Sequence, residues 1–151
     1  MINLMRKLTL IVFCLFAAAT AQAQRKVVQP KEFPTGRPFS PGVWAGDTLY
    51  VAGQIGTDLK TGKMSENFDE EVKQTLDNIG VILKEAGLSY DDVVTVNVYL
   101  TDMNLFARMN AVYTKVFAEP RPARTTVGVP ALAGGAHIEI TVTAHSSKRK
   151  K

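Results

Sequence analysis

The chain is poor in the residues that carry heavy chemistry. Among 151 residues there is one cysteine, Cys14, and two histidines, His137 and His145. Cys14 falls within the first apolar stretch, so a chain cleaved after Ala23 has no cysteine at all. That excludes a disulfide, a thiolate nucleophile and a cysteine-ligated metal in the mature protein. The histidines sit at the two ends of one expected strand, about 26 Å apart at the rise of an extended chain. They cannot share a metal or act as a nuclease's paired histidines within one chain. There is no G-x-S-x-G elbow, no glycine-rich phosphate loop and no H-E-x-x-H helix. No aromatic-basic interleaving marks an RNA-stacking surface, so no nucleic acid is expected as a partner. What remains for catalysis is light chemistry: an arginine, a carboxylate, backbone groups and a positioned water.

Charge of one sign is also scarce. The formal net charge is +4, but Arg6, Lys7 and the tail Lys148-Arg149-Lys150-Lys151 supply much of the basic excess. Without those six, 12 basic residues face 14 acidic ones. Residues 146–151 thus read as a basic, disordered tail, which either touches polyanions or acidic lipid or only keeps the chain end soluble.

The start of the chain has the form of an export signal. Arg6 and Lys7 precede the uncharged run Leu8 to Thr20, and Ala21-Gln22-Ala23 offers small residues where a signal peptidase reads. The run is shorter than the roughly 20 apolar residues of a membrane span. The alternative is an amphipathic or buried helix, although no polar stripe interrupts the run. Residues 1–23 are expected to be a signal peptide, placing the protein in the periplasm or outside the cell with no stable membrane association. The remaining 128 residues are one domain's worth of chain.

Within it, residues 24–37 read as irregular, with several prolines and no periodicity. Val43 to Ala45 and Thr48 to Ile55 read as strands around a Gly46-Asp47 turn. Asn67 caps a helix whose apolar face is Val72, Leu76, Ile79, Leu83 and Ala86, ended by Gly87. Val93 to Leu100 alternates as a strand, with Val94, Val96, Val98 and Leu100 on one face and Thr95, Asn97 and Tyr99 on the other. Asp102 caps a second helix to about Phe117, with Phe106, Met109, Tyr113 and Val116 as its buried stripe. Thr125 to Val129 and His137 to His145 are the last strands. The order β-β-α-β-α-β-β implies an α+β fold: a mixed sheet with both helices on one face. The other face then calls for cover by a further subunit.

Pro122 to Ile140 holds the candidate chemistry. Arg124 precedes a short strand, and Glu139 lies between Ile138 and Ile140 in the next. A guanidinium can grip a carboxylate through two parallel hydrogen bonds. A glutamate can handle a proton or a water. If the two strands lie close, the pair forms a small polar site for an acidic substrate; otherwise both are ordinary surface or interface residues.

Several segments together resemble the RidA family, also called the YjgF or reactive-intermediate deaminase family. They are "LYVAGQIG", the "TGK" loop, "QTLDNIGVILKEAGLSYDDVVTVNVYLTDM", "FARMNAVYTKVF" and "RPARTTVGVPALAGGAHIEI". The resemblance runs from about Pro38 to Ala144, within a domain of residues 38–145. It implies a chorismate-mutase-like fold and a homotrimer with clefts between subunits. It also implies hydrolysis of 2-imino and enamino acids to 2-oxo acids and ammonia, with no cofactor and no metal. Arg124 matches the family arginine that holds the substrate carboxylate. Glu139 matches the glutamate that positions water or relays a proton. Asn110 matches an asparagine lining the cleft, and Gly53 a glycine whose backbone faces the ligand. Phe39, Ala52 and Thr126 stand where the family pattern has tyrosine, serine and often cysteine. The first two remove hydroxyls from the expected substrate site. These departures leave open a non-catalytic protein that captures small carboxylates. An endoribonuclease or a holdase finds no support in the residues.

Overall fold

The computed structural model describes residues 25–147. The apolar run around Cys14, the signal cleavage position and the last four basic residues lie outside them. Six strands and two α-helices follow in the order β1 (Lys26–Val28), β2 (Gly42–Ala45), β3 (Thr48–Gln54), α1 (Phe68–Glu85), β4 (Val93–Leu100), α2 (Phe106–Val116), β5 (Ala123–Gly128) and β6 (Ile138–His145). They form one mixed sheet in the order β1-β2-β3-β6-β4-β5. β4 and β5 are parallel and every other neighbouring pair is antiparallel.

The irregular reading of residues 24–37 is corrected at β1, whose Lys26 and Val28 pair with Trp44 and Gly42. Three residues are too few to show a period in sequence; the exposed edge of β2 recruits them through main-chain hydrogen bonds. The other expected elements are present, with ends shifted by one or two residues except at the second helix, whose α-helical part starts at Phe106 after a 3-10 turn.

Both helices pack on one face of the sheet. The α1 stripe Val72, Leu76, Ile79, Ile82 and Leu83 is almost wholly buried against Ile138, Ile140, Val142 and Ala144 of β6 and Leu49 and Val51 of β3. At the head of the helix the Asn67 side chain accepts hydrogen bonds from the amides of Asp69 and Glu70, satisfying donors that the first turn leaves free. The Tyr90 hydroxyl donates to the Leu76 carbonyl at 2.6 Å and stands so near Gly80 that a Cβ there would meet it. Burial, with the Asp77 charge, pushes the Tyr90 pKa up to about 12, so it stays a donor.

In α2 the expected stripe is only partly right. Met109 and Tyr113 are buried, but Phe106 is 36% exposed. Asp102 caps a 3-10 turn, Met103–Leu105, through the Asn104 amide, and that turn sets Phe106 outward at the head of the α-helix. Val94 likewise leaves the core, at 48% exposed, because the pairing of β4 with β6 slips between Val93 and Thr95. A slip of one residue turns side chains to the opposite face.

The helix-free face carries Tyr50 and Val127 in the open, at 54% and 41% exposure. Between them run the half-buried side chains of Tyr99, Glu139, Thr141 and Thr143.

Candidate active site

The chain builds two separate groups from the seven residues singled out in sequence. Phe39, Ala52, Gly53 and Glu139 line one cavity of about 320 Å³. It lies where β3 runs out of the sheet.

A β-bulge shapes its wall. Val51 pairs with Val142 and Gln54 with Ile140, so Ala52 and Gly53 together oppose one residue of β6. Bulges bend a strand and re-aim its side chains, and they recur beside active sites. The distortion is held on both sides: the Ala52 amide donates to the Pro41 carbonyl, and the Ala52 carbonyl accepts from Gln54 Nε2. The first of these bonds also draws the Pro-rich segment bearing Phe39 over the cavity.

Glu139 lies across Gly53. A Cβ on Gly53 would stand 1.8 Å from Glu139 Oε1 and 2.8 Å from its Cδ. The absent side chain is therefore the space that the carboxylate occupies. Gly53→Ala is expected to swing the flexible end of Glu139 out of place while leaving the backbone intact. A misplacement of about 1 Å can cost about 10²-fold in rate. Activity should thus fall on that scale with little change in the thermal midpoint, and wild-type kinetics would show that Glu139 works from another rotamer.

The position of Glu139 along the chain is fixed by a residue that the sequence reading missed. Glu71 of α1 is fully buried. Its Oε1 accepts from the amides of His137 and Ile138 at 2.7 and 3.3 Å, and its Oε2 meets His137 Nδ1 at 2.8 Å. These bonds pin the start of β6 one residue before Glu139. Removing one partner of such a buried set would cost about 1–3 kcal/mol per orphaned group. Asn78 was missed too; its Nδ2 donates to the Ile55 and Thr57 carbonyls and ties the cavity floor to α1. A polar residue inside the apolar stripe of α1 was the available signal for Asn78. Nothing in the local sequence distinguishes Glu71 from the neighbouring acids Asp69 and Glu70.

Arg124, Asn110 and Thr126 form the second group. Arg124 pairs in the sheet with buried Val96, which pairs with Val142, so its side chain emerges on the helix side. Glu139 pairs with Tyr99 on the helix-free side. β4 separates their strands, and the register sets them roughly 14 Å apart along the sheet at ordinary strand spacings. The expectation that closeness of the two strands would join Arg124 and Glu139 in one polar site therefore fails within a chain: they lie on opposite faces.

Arg124 rests in an aromatic cradle. Its Cζ is 4.5 Å from the Tyr113 ring centroid and 5.6 Å from that of Phe106, with Nη1 3.9 Å from Met109 Sδ. Tyr113 in turn stacks on Phe117 at 4.5 Å, and Tyr90 meets Phe117 edge-on at 5.3 Å. Burial raises the Tyr113 pKa, while Arg124 and Arg121 pull the other way. The Tyr113 hydroxyl is buried with no hydrogen-bond partner among the described residues; Arg124 lies near enough to act on it electrostatically without meeting hydrogen-bond geometry. The Arg124 guanidinium has no carboxylate partner among the described residues; ring faces and the contact to Met109 Sδ orient it. Asn110 shares the helix face of Phe106 and Tyr113. Thr126 follows Arg124 by two residues and pairs with Val98 on the same side.

No cluster of three or more His, Cys, Asp and Glu side chains suited to a metal occurs among the described residues. None of their helices is long and apolar enough to cross a membrane.

This fold agrees with what similar proteins show. Residues 30–146 match the family described as Endoribonuclease L-PSP, and the chain belongs to that family, the RidA/YjgF proteins. A RutC family protein of Pyrococcus horikoshii is 45% identical over 109 residues, which cover 72% of this chain and 86% of that one. The human 2-iminobutanoate/2-iminopropanoate deaminase is 39% identical over 122 residues, covering 80% of this chain and 89% of its own. The crystal structure of RidA from an Antarctic Psychrobacter superposes with a TM-score of 0.76 at 37% identity, over 80% of this chain and 99% of that one. That of E. coli TdcF with bound serine does so with a TM-score of 0.77 at 31% identity, over 81% and 99%.

Proposed function

We propose that this protein is an exported RidA-type deaminase. It hydrolyses reactive 2-imino acids and their enamine tautomers to 2-oxo acids and ammonia, at clefts between the subunits of a homotrimer. The observation that carries the reading is the split of the site residues. One chain offers a glutamate in a cavity on one side and an unpaired, cradled arginine on the other. Joining them takes two copies, the Arg124 group of one facing the Glu139 cavity of the next. The exposed Tyr50 and Val127 on the helix-free face give the copies an apolar surface to bury.

In such a cleft Arg124 grips the substrate carboxylate and aims the imine carbon at the cavity. Glu139 takes a proton from water as the water oxygen bonds to the carbon of the protonated imine and the C=N π pair moves to nitrogen, giving a neutral carbinolamine. That proton then passes to the amino nitrogen; the C–N bond breaks with its electron pair leaving on ammonia, the hydroxyl gives up its proton through Glu139 to that ammonia, and the carbonyl forms. Atoms balance with water as the sole co-reactant. The deaminase name carried by the human relative and the serine held by TdcF, a small molecule with one carboxylate, support this reading.

Phe39 and Ala52 favour a second reading, a binding protein for small carboxylates, since neither supplies the cavity with a hydroxyl. Release of ammonia and 2-oxo acid from enzymatically generated imino acids, using the mature chain from Gln24, decides between them. Turnover above the spontaneous rate supports the deaminase; saturable binding of 2-oxo acids without turnover supports capture. Light scattering should give three times the chain mass, and a stable monomer at micromolar concentration would remove the shared site. Recovery of the intact N-terminus from cells would count against export.

A further inference from the structure

We propose that the cavity selects an imino acid whose side chain ends in a second acidic group, and that Arg37 is the residue that reads it. The inference rests on the deaminase reading of the same site and adds its substrate class.

The cavity is lined by two charged side chains, Glu139 and Arg37. Sequence reasoning placed Arg37 in a featureless segment. The structure places it at the rim, with its Cζ 6.0 Å from the Phe33 ring centroid and 5.7 Å from that of Phe39. Phe33 is buried and anchors the contact; Phe39 is 49% exposed and walls the opening. The backbone is fixed as well. Gly36 takes a φ of +80°, which only glycine adopts readily, and Pro38 restricts Arg37 to extended conformations. Arg37 makes no ion pair with any carboxylate among the described residues. A guanidinium held by two rings and a braced loop, with its donors unspent, is ready to donate to a carboxylate.

Size and charge point the same way. About 320 Å³ is far more than a three-carbon imino acid fills. In the shared cleft Arg124 already takes the α-carboxylate and Glu139 the water. A short apolar side chain would leave both the remaining volume and the Arg37 charge unused. A side chain of two or three carbons ending in a carboxylate fills the one and neutralises the other. The exchange of tyrosine for Phe39 fits this arrangement, because the ring 5.7 Å from the guanidinium carries no hydroxyl to engage its donors.

The test is calorimetric binding of three product analogues to the full mature protein and to Arg37→Gln: pyruvate, 2-oxohexanoate and 2-oxoglutarate. Wild type should bind the diacid about tenfold more tightly than 2-oxohexanoate, a partly exposed charge-assisted pair being worth no more than that. Arg37→Gln should erase that preference while 2-oxohexanoate and pyruvate change less than about twofold, since their α-carboxylate is held elsewhere. Equal affinity for diacid and monoacid in the wild type would overturn the inference. So would a preference that survives Arg37→Gln, or an equal loss for all three ligands, which would make Arg37 a general anchor. Ammonia release, followed alongside, keeps the two ideas apart. Selective binding without turnover of any imino acid sinks the deaminase and leaves the diacid preference standing. Turnover without selectivity does the reverse.

Discussion

Glu139→Gln should abolish most of the deaminase activity while leaving 2-oxo acid binding intact. Glutamine keeps the length and shape of the side chain, so it fits over Gly53 as glutamate does. It can hydrogen-bond a water but cannot take its proton. General acid–base assistance is typically worth about 10²–10⁴-fold, and kcat should drop within that range. KM for the imino acid should move little, because in the proposed cleft the grip on the carboxylate comes from Arg124. The fold should hardly notice, since Glu139 is half-buried, pairs with no cation among the described residues and lies at the mouth of a cavity rather than in the core. Rates measured on a preformed imino acid with ammonia detection, set beside binding of the 2-oxo product, give both quantities. Undiminished turnover would move water activation to another group and leave Glu139 a bystander.

Much of this architecture could be read from the sequence, and the failures share a cause. Helix α1 was legible because its apolar stripe, its Asn67 cap and Gly87 all agree. β4 from Val96 onward and β6 were legible because their alternation survives in the fold. The misses are set by contacts distant in the chain. β1 exists because β2 has a free edge, and Val94 faces out because β4 slips against β6. Glu71 matters because the start of β6 arrives over it, 66 residues later. The site residues show the same limit. Residue type marked Arg124 and Glu139 as chemically apt, and the family likeness attached roles to them. That they stand on opposite faces follows from the interposed β4, which no spacing between residues 124 and 139 reveals. Arg37 needed the cavity to be seen, because it stands in a segment without periodicity.

Arg124→Lys should impair catalysis far beyond what its retained charge suggests, and the loss should be repairable by mixing. The cradle of Tyr113, Phe106 and Met109 fits a flat, delocalised cation; a lysine ammonium is a compact, strongly hydrated point charge that stacks poorly and cannot grip a carboxylate with two parallel bonds. Affinity for 2-oxo acids should fall, and the imine carbon should lose its alignment with the water at Glu139. Together these effects should lower kcat/KM on the order of 10²-fold. The oligomer should remain assembled, since a positive charge still covers the Tyr113 ring. The decisive version combines this variant with Glu139→Gln. Each alone is nearly inactive. If the site draws Arg124 from one subunit and Glu139 from the next, unfolding the two variants together and refolding them at equal amounts creates clefts that hold both native residues. With random assembly into trimers, about a quarter of the clefts should be intact, and activity should return to about that fraction of wild type. If each chain used its own Arg124 with its own Glu139, mixing could restore nothing. The opposed faces of the sheet would then have to be bridged within one subunit by a rearrangement large enough to break the pairing of β4 with both neighbours.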